Sequence, residues 1–275
     1  MNMNAFIDGL ERKASESIKA EQGDYVVDGL LYCHKCNTPK QCRVEILGIE
    51  RTPPCLCKCE VERREREEAE RRAVEFRNKI KEYRRRAFGE SEMENWTFEN
   101  ADGSNEKIMT AMKNYVANFE EFLKQGKGLL LFGTVGTGKT FAAACVANAL
   151  IDCGYPCMVM KFADIAQGIF EGKFTYQDFN KYAFLVLDDL GSERNTEYMK
   201  EIVFNVIDNR NRAGLPLFIT TNLTNEQIKH PAELSDQRIF SRLLEMCLPI
   251  KVEGVDKRVE KLKADYKPMA DLLGL

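Results

Sequence analysis

Short apolar runs alternate with amphipathic helical stretches through the second half of the chain, and this alternation predicts an α/β fold. The apolar runs have the length of single strands, and we expect strands at residues 128–132, 156–161, 183–189, 215–222 and 246–250. The helical stretches cover residues 104–125, 141–150, 162–170, 199–207, 236–244 and 256–267. Strands that are apolar on both faces need helices on both sides. The sequence therefore predicts a parallel five-stranded sheet between helices.

The first ninety residues follow a different pattern, which predicts a small domain and a connecting helix. A short helix is predicted over residues 6–18, a turn over 22–24 and a strand over 25–32. From Glu60 onward Glu and Arg dominate, and pairs such as Glu68/Arg72 have the i, i+4 spacing that supports an exposed helix. The predicted divisions are an N-terminal domain at 1–60, a charged connector helix at 61–90 and a larger domain at 91–275.

The connector helix carries one apolar face whose residues are spaced alternately by four and three, as in a short heptad pattern. These residues are Ala69, Ala73, Phe76, Ile80, Tyr83 and Ala87. Two interpretations remain open. The helix is either a solvated connector that docks this face on its neighbour, or a helix that binds a partner or a second copy of the chain.

A glycine-rich loop separates the predicted strand 128–132 from the predicted helix 141–150, and it matches the phosphate-binding pattern G-x-x-x-x-G-K-[ST]. Its residues are Gly133, Thr134, Val135, Gly136, Thr137, Gly138, Lys139 and Thr140. Glycines let backbone N–H groups turn inward, and the helix N-terminus adds a partial positive charge. Lys139 is expected to reach the β- and γ-phosphates, and the Thr140 hydroxyl to hold Mg²⁺. The loop predicts that the chain binds a nucleoside triphosphate.

Two carboxylates end the predicted strand 183–189, and an asparagine ends the strand 215–222. Asp188 is expected in the Mg²⁺ shell, and Asp189 as the general base that polarises the attacking water. Parallel strands deliver such side chains to the carboxyl edge of the sheet, where ligands bind. Asn222 is expected to hydrogen-bond the γ-phosphate or the water, although an Asx turn into residues 223–225 would also explain it.

Composition limits the range of functions further. The 275 residues carry a formal net charge of -3, so any nucleic-acid contact has to be local. No apolar run approaches the length of a membrane span, and the N-terminus lacks the basic start and apolar core of a signal peptide. We expect a cytoplasmic protein without membrane contact.

Six of the ten cysteines fall between residues 33 and 59, in two closely spaced groups. In a chain without an export signal such clustering indicates a metal rather than disulfides. The predicted ligands of a structural, four-thiolate Zn²⁺ site are Cys33, Cys36, Cys57 and Cys59. Cys55 is an alternative to one of the last pair, and Cys42 or His34 is a further substitute.

The order of these motifs resembles an AAA+ ATPase of the helicase-loader group (DnaC and DnaI), which also includes the IstB transposition helpers. Residues 187–191 look like the Walker B strand of that group, and residues 220–222 like its sensor-1 strand. Residues 238–243 look like its arginine-finger helix, with Arg242 in the finger position. Residues 254–258 look like its sensor-2 segment, with Arg258 as the sensor and the lid reduced to a short helix. The cysteine pairs resemble the N-terminal zinc domain of phage and Gram-positive relatives.

The resemblance implies an ATPase with ATP, Mg²⁺ and Zn²⁺ as cofactors, and Asp189, Asn222, Arg242 and Arg258 as catalytic residues. It implies a loader of a replicative hexameric DNA helicase onto single-stranded DNA, with the N-terminal domain gripping the helicase. Arg242 would complete the site of a neighbouring subunit, so self-association is implied. Asp189 stands where many AAA+ proteins have Glu, and Asp256 and Lys257 precede Arg258 where relatives often have an aromatic residue.

Two other functions fit the same motifs. One is an IstB-like ATPase that assists a transposase. The other is a non-hydrolysing, nucleotide-gated adaptor, which the shorter carboxylate of Asp189 would favour.

Overall fold

A computed structural model describes residues 20–46, 48–191 and 197–257, together with residues 259, 262, 266, 268, 269 and 272–274. The chain divides into two compact units, Met1–Arg77 and Asn78–Leu275. The predicted helix over residues 6–18 lies outside the described residues. So does most of the predicted helix over residues 256–267.

The first unit contains two small hairpins. Strands β1 (Tyr25–Val27) and β2 (Leu30–Tyr32) pair antiparallel, as do β3 (Val44–Ile46) and β4 (Ile49–Arg51). The prediction of one strand over residues 25–32 is wrong, because the chain reverses at Asp28 and Gly29. Both residues have positive φ, 51° and 78°, which suits a tight hairpin turn.

A long helix, α1 (Lys58–Phe88), follows the hairpins. Arg72 and Glu68 form the predicted i, i+4 ion pair at 2.8 Å. Within the second unit, Ala87 and Phe88 are buried, and Ile80 and Tyr83 pack partly against the same cluster. Phe76 is 47% exposed, and the helix is exposed from residue 61 to residue 79. The predicted apolar face is therefore buried only over the last turns of the helix.

The second unit is built on the predicted sheet, which the structure confirms. Its strands are β5 (Gly128–Phe132), β6 (Cys157–Lys161), β7 (Phe184–Leu190), β8 (Leu217–Thr221) and β9 (Cys247–Lys251). They are all parallel, in the order β6-β7-β8-β5-β9. The strand order places the carboxyl ends of β5, β7 and β8 next to one another, at residues 132, 190 and 221.

Helices cover both faces of this sheet, and the strands are buried between two apolar clusters. The helices are α2 (Glu106–Ala117), α3 (Phe119–Gln125), α4 (Lys139–Asp152), α5 (Phe162–Phe170), α6 (Glu197–Arg212), α7 (Asn225–Lys229) and α8 (Leu234–Met246). Along β5, Leu129 and Leu131 face one cluster and Leu130 faces the other. This burial on both faces is the reason for the continuous apolar runs of the sequence.

The prediction of one helix over residues 104–125 is wrong, because the helix is interrupted at Asn118. The side chain of Asn118 donates to the carbonyl of Asn114 at 2.8 Å and competes with the helical hydrogen bonds. Among the described residues, no helix has the length and apolar character that a membrane span requires.

Candidate nucleotide site and cysteine cluster

The glycine-rich loop runs from the end of β5 to the start of α4, where Gly138 caps the helix with a φ of 88°. Gly133 and Gly136 also have positive φ, at 138° and 78°. A Cβ at Gly133 would lie 2.3 Å from the Val252 carbonyl oxygen, and one at Gly136 would lie 1.9 Å from a carboxylate oxygen of Asp256. The loop therefore needs glycine for its backbone angles and for the close approach of its neighbours.

The Lys139 side chain folds back so that its ammonium contacts this loop. It donates to the carbonyls of Gly133 at 2.9 Å and of Thr134 at 2.6 Å. The Thr137 hydroxyl also donates to the Thr134 carbonyl, at 2.9 Å. These contacts place the positive charge of Lys139 at the mouth of the loop, next to the N-terminus of α4. An anion bound there would meet both the ammonium and the helix dipole.

The structure brings Thr140 and Asp188 together although they are 48 positions apart in the chain. The Thr140 hydroxyl donates to Asp188 Oδ1 at 2.8 Å, and the Thr220 hydroxyl donates to the same oxygen at 2.6 Å. Asp188 is buried, with 4% of its surface exposed. A threonine hydroxyl beside a carboxylate is the ligand pair that Mg²⁺ takes in phosphate-binding sites of this type. Sequence reasoning assigned no individual role to Thr220.

Asp189 leaves the regular strand geometry. Its φ is 63°, and the pairing of β7 with β8 shifts register between Leu187 and Leu190. Its N–H donates to the Thr220 hydroxyl at 2.9 Å, and its carboxylate accepts from the Asn222 amide at 2.7 Å. The Asn222 side chain therefore bonds to the second acid, while Thr224 is the residue that caps α7. The bulge puts both acids and Asn222 at one edge of the sheet.

Of the two predicted arginines, Arg242 is described, and it contacts acidic residues of its own chain. The Arg242 guanidinium lies 2.8 Å from a Glu245 carboxylate oxygen and 3.3 Å from an Asp208 oxygen, and the hydrogen bond to Glu245 raises its pKa. Neither partner is a residue of the predicted nucleotide site. Arg238 on the same helix lies over the Phe204 ring, 4.5 Å from its centroid. Arg258 lies outside the described residues.

Four cysteine sulfurs meet in the first unit. The Sγ atoms of Cys33, Cys36, Cys57 and Cys59 all lie within 4.8 Å of one another. Cys59 Sγ is 3.6 Å from Cys33 Sγ and 3.4 Å from Cys57 Sγ, and hydrogen bonding, first to Cys57, raises the pKa of the Cys59 thiol to about 12.

The other two cysteines of this region bond to carbonyls instead. Cys42 Sγ donates to the Pro53 carbonyl at 3.7 Å, and Cys55 Sγ to the Pro39 carbonyl at 3.6 Å. All ten cysteines belong to the described part of the chain, and all are free.

A buried ion pair that the sequence analysis did not predict lies beside the turn from Cys33 to Cys36. The Asp24 carboxylate, 1% exposed, accepts from the Lys40 ammonium at 2.6 Å and from the backbone N–H of His34 at 3.1 Å. The His34 ring nitrogen Nδ1 lies 3.0 Å from the same carboxylate, and the hydrogen bond from Lys40 holds the Asp24 pKa far below its usual range. A His34 ring nitrogen and an Asp24 carboxylate oxygen also lie within 4.8 Å of the Cys33 sulfur. These two side chains are paired with each other.

Comparison with known proteins relates the second unit and most of α1 to one family. The pattern of the IstB-like ATP binding protein family matches residues 61–264. The chain is 29% identical over 184 residues to the replicative helicase loader DnaI of Bacillus subtilis (strain 168), covering 59% of this chain and 58% of the relative. It is 27% identical over 158 residues to the replicative helicase loader DnaC of Escherichia coli (strain K12), covering 54% of this chain and 63% of the relative. It thus spans less than two thirds of either relative.

Solved structures show the same fold. A crystal structure of DnaI aligns with a TM-score of 0.50 at 23% identity, over 60% of this chain and 92% of that chain. A crystal structure of the DnaC helicase loader aligns with a TM-score of 0.50 at 24% identity, over 58% of this chain and 97% of that chain. The five-stranded parallel sheet and its helices are the AAA+ P-loop fold of these proteins. With its family pattern matched over residues 61–264, the chain belongs to the IstB-like ATP-binding protein family.

Proposed function

We propose that this chain uses Mg²⁺ and ATP to load a replicative hexameric DNA helicase onto single-stranded DNA. The observation that supports the nucleotide chemistry best is the single Asp188 oxygen that accepts from both Thr140 and Thr220. The names of the two relatives, both replicative helicase loaders, support the loading function. ATP binding and hydrolysis would set whether the loader holds or releases helicase and single strand.

In this proposal each residue at the sheet edge has one task. Lys139 exchanges the carbonyls of its own loop for oxygens of the β- and γ-phosphates, and Thr140 and Asp188 hold Mg²⁺. Mg²⁺ held there would neutralise charge on the phosphates. Asp189 accepts a proton from the attacking water, and the Asn222 amide orients the Asp189 carboxylate.

Hydrolysis is proposed to depend on a neighbouring subunit that inserts Arg242. The guanidinium sits in ion pairs with Asp208 and Glu245 of its own chain, so it has to leave them to reach another site. An arginine supplied in trans contributes about 10³–10⁵ in rate.

We expect Arg242→Ala to keep ATP binding and to lose assembly-stimulated phosphate release. The matched control is Arg212→Ala, because Arg212 pairs with the same Asp208 at 2.8 Å and is 80% exposed. The arginine-finger role of Arg242 would be refuted if Arg242→Ala and wild type hydrolyse ATP at the same rate per subunit, at concentrations where assembly stimulates the wild type.

The cysteine cluster is proposed to hold a structural Zn²⁺. A tetrahedral site with Zn–S bonds of about 2.3 Å places its sulfurs about 3.8 Å apart. The distances of 3.6 Å and 3.4 Å from Cys59 Sγ to its neighbours come close to that geometry. The residues present therefore fit the metal. We further propose the divisions 1–60, 61–90 and 91–275 for zinc domain, connector and ATPase, with the zinc domain as the part that binds the helicase.

Contact with single-stranded DNA is supported by an exposed aromatic pair. Phe170 at the end of α5 is 75% exposed and Tyr198 in α6 is 51% exposed, and their ring centroids lie 6.2 Å apart at 83°. Exposed aromatic rings are the surfaces on which unpaired bases stack, at about 1–3 kcal/mol per base. Phe170→Ala should therefore weaken binding of a fluorescent oligonucleotide, and unchanged binding would argue against this surface.

The test of the loading function is capture of a partner from cell extract on the immobilised full chain, with ATP and Mg²⁺. We expect a hexameric replicative helicase in the eluate of the wild type, with ATP-dependent release. A transposase in its place would favour the IstB-like alternative, which the family match keeps in view.

A non-hydrolysing adaptor is favoured by one observation, since the Asp189 carboxylate is already bonded by Asn222. Measuring phosphate release by the wild type in the presence of single-stranded DNA distinguishes the adaptor from the ATPase. A rate no higher than that of Asp189→Asn would support the adaptor.

A further inference from the structure

The segment that follows β9 lies along the glycine-rich loop. The Val252 N–H donates to the Phe132 carbonyl at 2.8 Å, and the Lys257 N–H donates to the Gly136 carbonyl at 3.1 Å. The Asp256 carboxylate lies against Gly136, where a Cβ would come within 1.9 Å of it. The backbone from Val252 to Lys257 therefore follows the loop from its first residue to its middle.

The Lys257 side chain continues this path to the start of α4. Its Nζ lies 3.7 Å from the position that a Cβ would take on Gly138, the residue that caps α4. It also forms an ion pair with Asp102 Oδ1 at 2.9 Å, where the Lys257 side chain is 26% exposed and that of Asp102 is 57% exposed. A cation at a helix N-terminus is unfavourable unless an anion accompanies it, because the helix end is itself positive.

Asp102 is fixed by its own turn. Its Oδ1 accepts from the backbone N–H of Ser104 at 3.0 Å and from the Ser104 hydroxyl at 2.7 Å. The hydrogen bond from Lys257, followed by those from Ser104, lowers the pKa of Asp102 to about 2. The next residue, Asn105, donates its amide to the Thr137 carbonyl at 2.9 Å. The turn at residues 102–105 thus contacts the glycine-rich loop and holds the Lys257 ammonium beside Gly138.

We propose that Lys257 is a phosphate-binding residue of the nucleotide site, and that its ammonium passes from Asp102 to the nucleotide when the nucleotide binds. The inference rests on the nucleotide site proposed above and adds to it a residue distinct from the expected sensor, Arg258. The backbone N–H groups of such a loop cradle the α- and β-phosphates. A contact beside Gly138 therefore serves ADP and ATP alike, and Asp102 competes with the nucleotide for the ammonium.

The test is titration of the full chain with fluorescent ADP and fluorescent ATP in the presence of Mg²⁺. Lys257→Met keeps the aliphatic stem and removes the charge, and it should lower the affinity for both nucleotides about tenfold. Lys257→Arg keeps the charge and should stay within about twofold of the wild type. Asp102→Asn removes the competing anion and should strengthen binding by about two- to threefold. Thermal unfolding without nucleotide identifies any variant that fails to fold.

Two results would overturn the inference. If Lys257→Met binds ADP with wild-type affinity, Lys257 does not contact the phosphates. Equal weakening by Asp102→Asn and Lys257→Met would mean that the ion pair only tethers the segment. If Lys139→Ala also binds like the wild type, the nucleotide site itself is wrong. If Lys139→Ala loses binding while Lys257→Met does not, only the present inference fails.

Discussion

At the scale of single residues, one carboxylate oxygen organises the candidate site. Asp188 Oδ1 accepts hydrogen bonds from the Thr140 hydroxyl, in the first turn of α4, and from the Thr220 hydroxyl, in β8. The sequence predicted Lys139, Thr140 and Asp188 for one site from two short motifs, and the structure brings Thr140 and Asp188 into contact. The sequence did not predict the hydrogen bond from Thr220, because that depends on the side-by-side packing of β7 and β8.

The Thr220 hydroxyl should orient Asp188 toward the metal. We expect Thr220→Val to weaken Mg²⁺-dependent ATP binding about tenfold, since a buried carboxylate loses one charge-assisted hydrogen bond. Nucleotide binding in EDTA should change little. Thr221→Val is the matched control, because Thr221 is equally buried but donates to the Leu190 carbonyl at 2.7 Å. An identical loss in both variants would indicate a packing defect rather than a metal effect.

At the scale of elements, every end of the five strands of the parallel sheet was predicted to within two residues, because burial on both faces gives each strand a continuous apolar run. Two elements that were predicted as continuous are divided in the structure, one at an asparagine and one at an Asp-Gly turn. Asn118 interrupts the helix over residues 104–125, and Asp28 with Gly29 folds the strand over residues 25–32 back on itself. A third polar residue, Arg210, reads as part of a basic helix end, but it is fully buried.

Arg210 connects α6 through hydrogen bonds to the residues that precede β7 and β8. Its guanidinium donates to the carbonyls of Phe179 at 3.0 Å and Tyr182 at 2.7 Å, and also to that of Pro216. Burial lowers its pKa to about 10, so it stays charged at neutral pH.

We expect Arg210→Leu to lower the free energy of unfolding by about 3 kcal/mol or more, because several buried carbonyls lose their donor. Chemical denaturation measures this. Arg212→Leu on the exposed side of the same helix should cost less than about 0.5 kcal/mol. Equal effects would contradict the structural role of the buried guanidinium.

At the scale of the whole molecule, the chain combines two compact units that depend on different sources of stability. The second unit has two apolar clusters around a five-stranded sheet. The first has two hairpins with strands of three residues each and a cysteine cluster, and a core that small rarely suffices without a metal. Sequence reasoning anticipated the cysteine cluster from spacing alone. The supporting ion pair of Asp24 and Lys40 is invisible in the sequence because folding brings together residues 16 apart.

Metal removal should therefore affect the units unequally. We expect about one Zn²⁺ per purified chain, and a strong chelator should abolish the calorimetric transition of the first unit and leave that of the second. Cys33→Ser with Cys36→Ser should have the same effect. Cys42→Ser should retain the metal, because its sulfur bonds to the Pro53 carbonyl outside the cluster. If a freshly prepared, reduced sample contains no zinc, the proposed metal site is wrong.

The most direct test of the account is the affinity of the full chain for a fluorescent ATP derivative with Mg²⁺. The wild type should bind, and Lys139→Ala should bind at least about 100-fold more weakly because the phosphates lose a buried charge-assisted contact. Lys124→Ala, on the exposed surface of α3, should bind like the wild type. Equal affinity of Lys139→Ala and wild type, or no binding by either, would contradict the claim that ATP is held between the glycine-rich loop and Asp188.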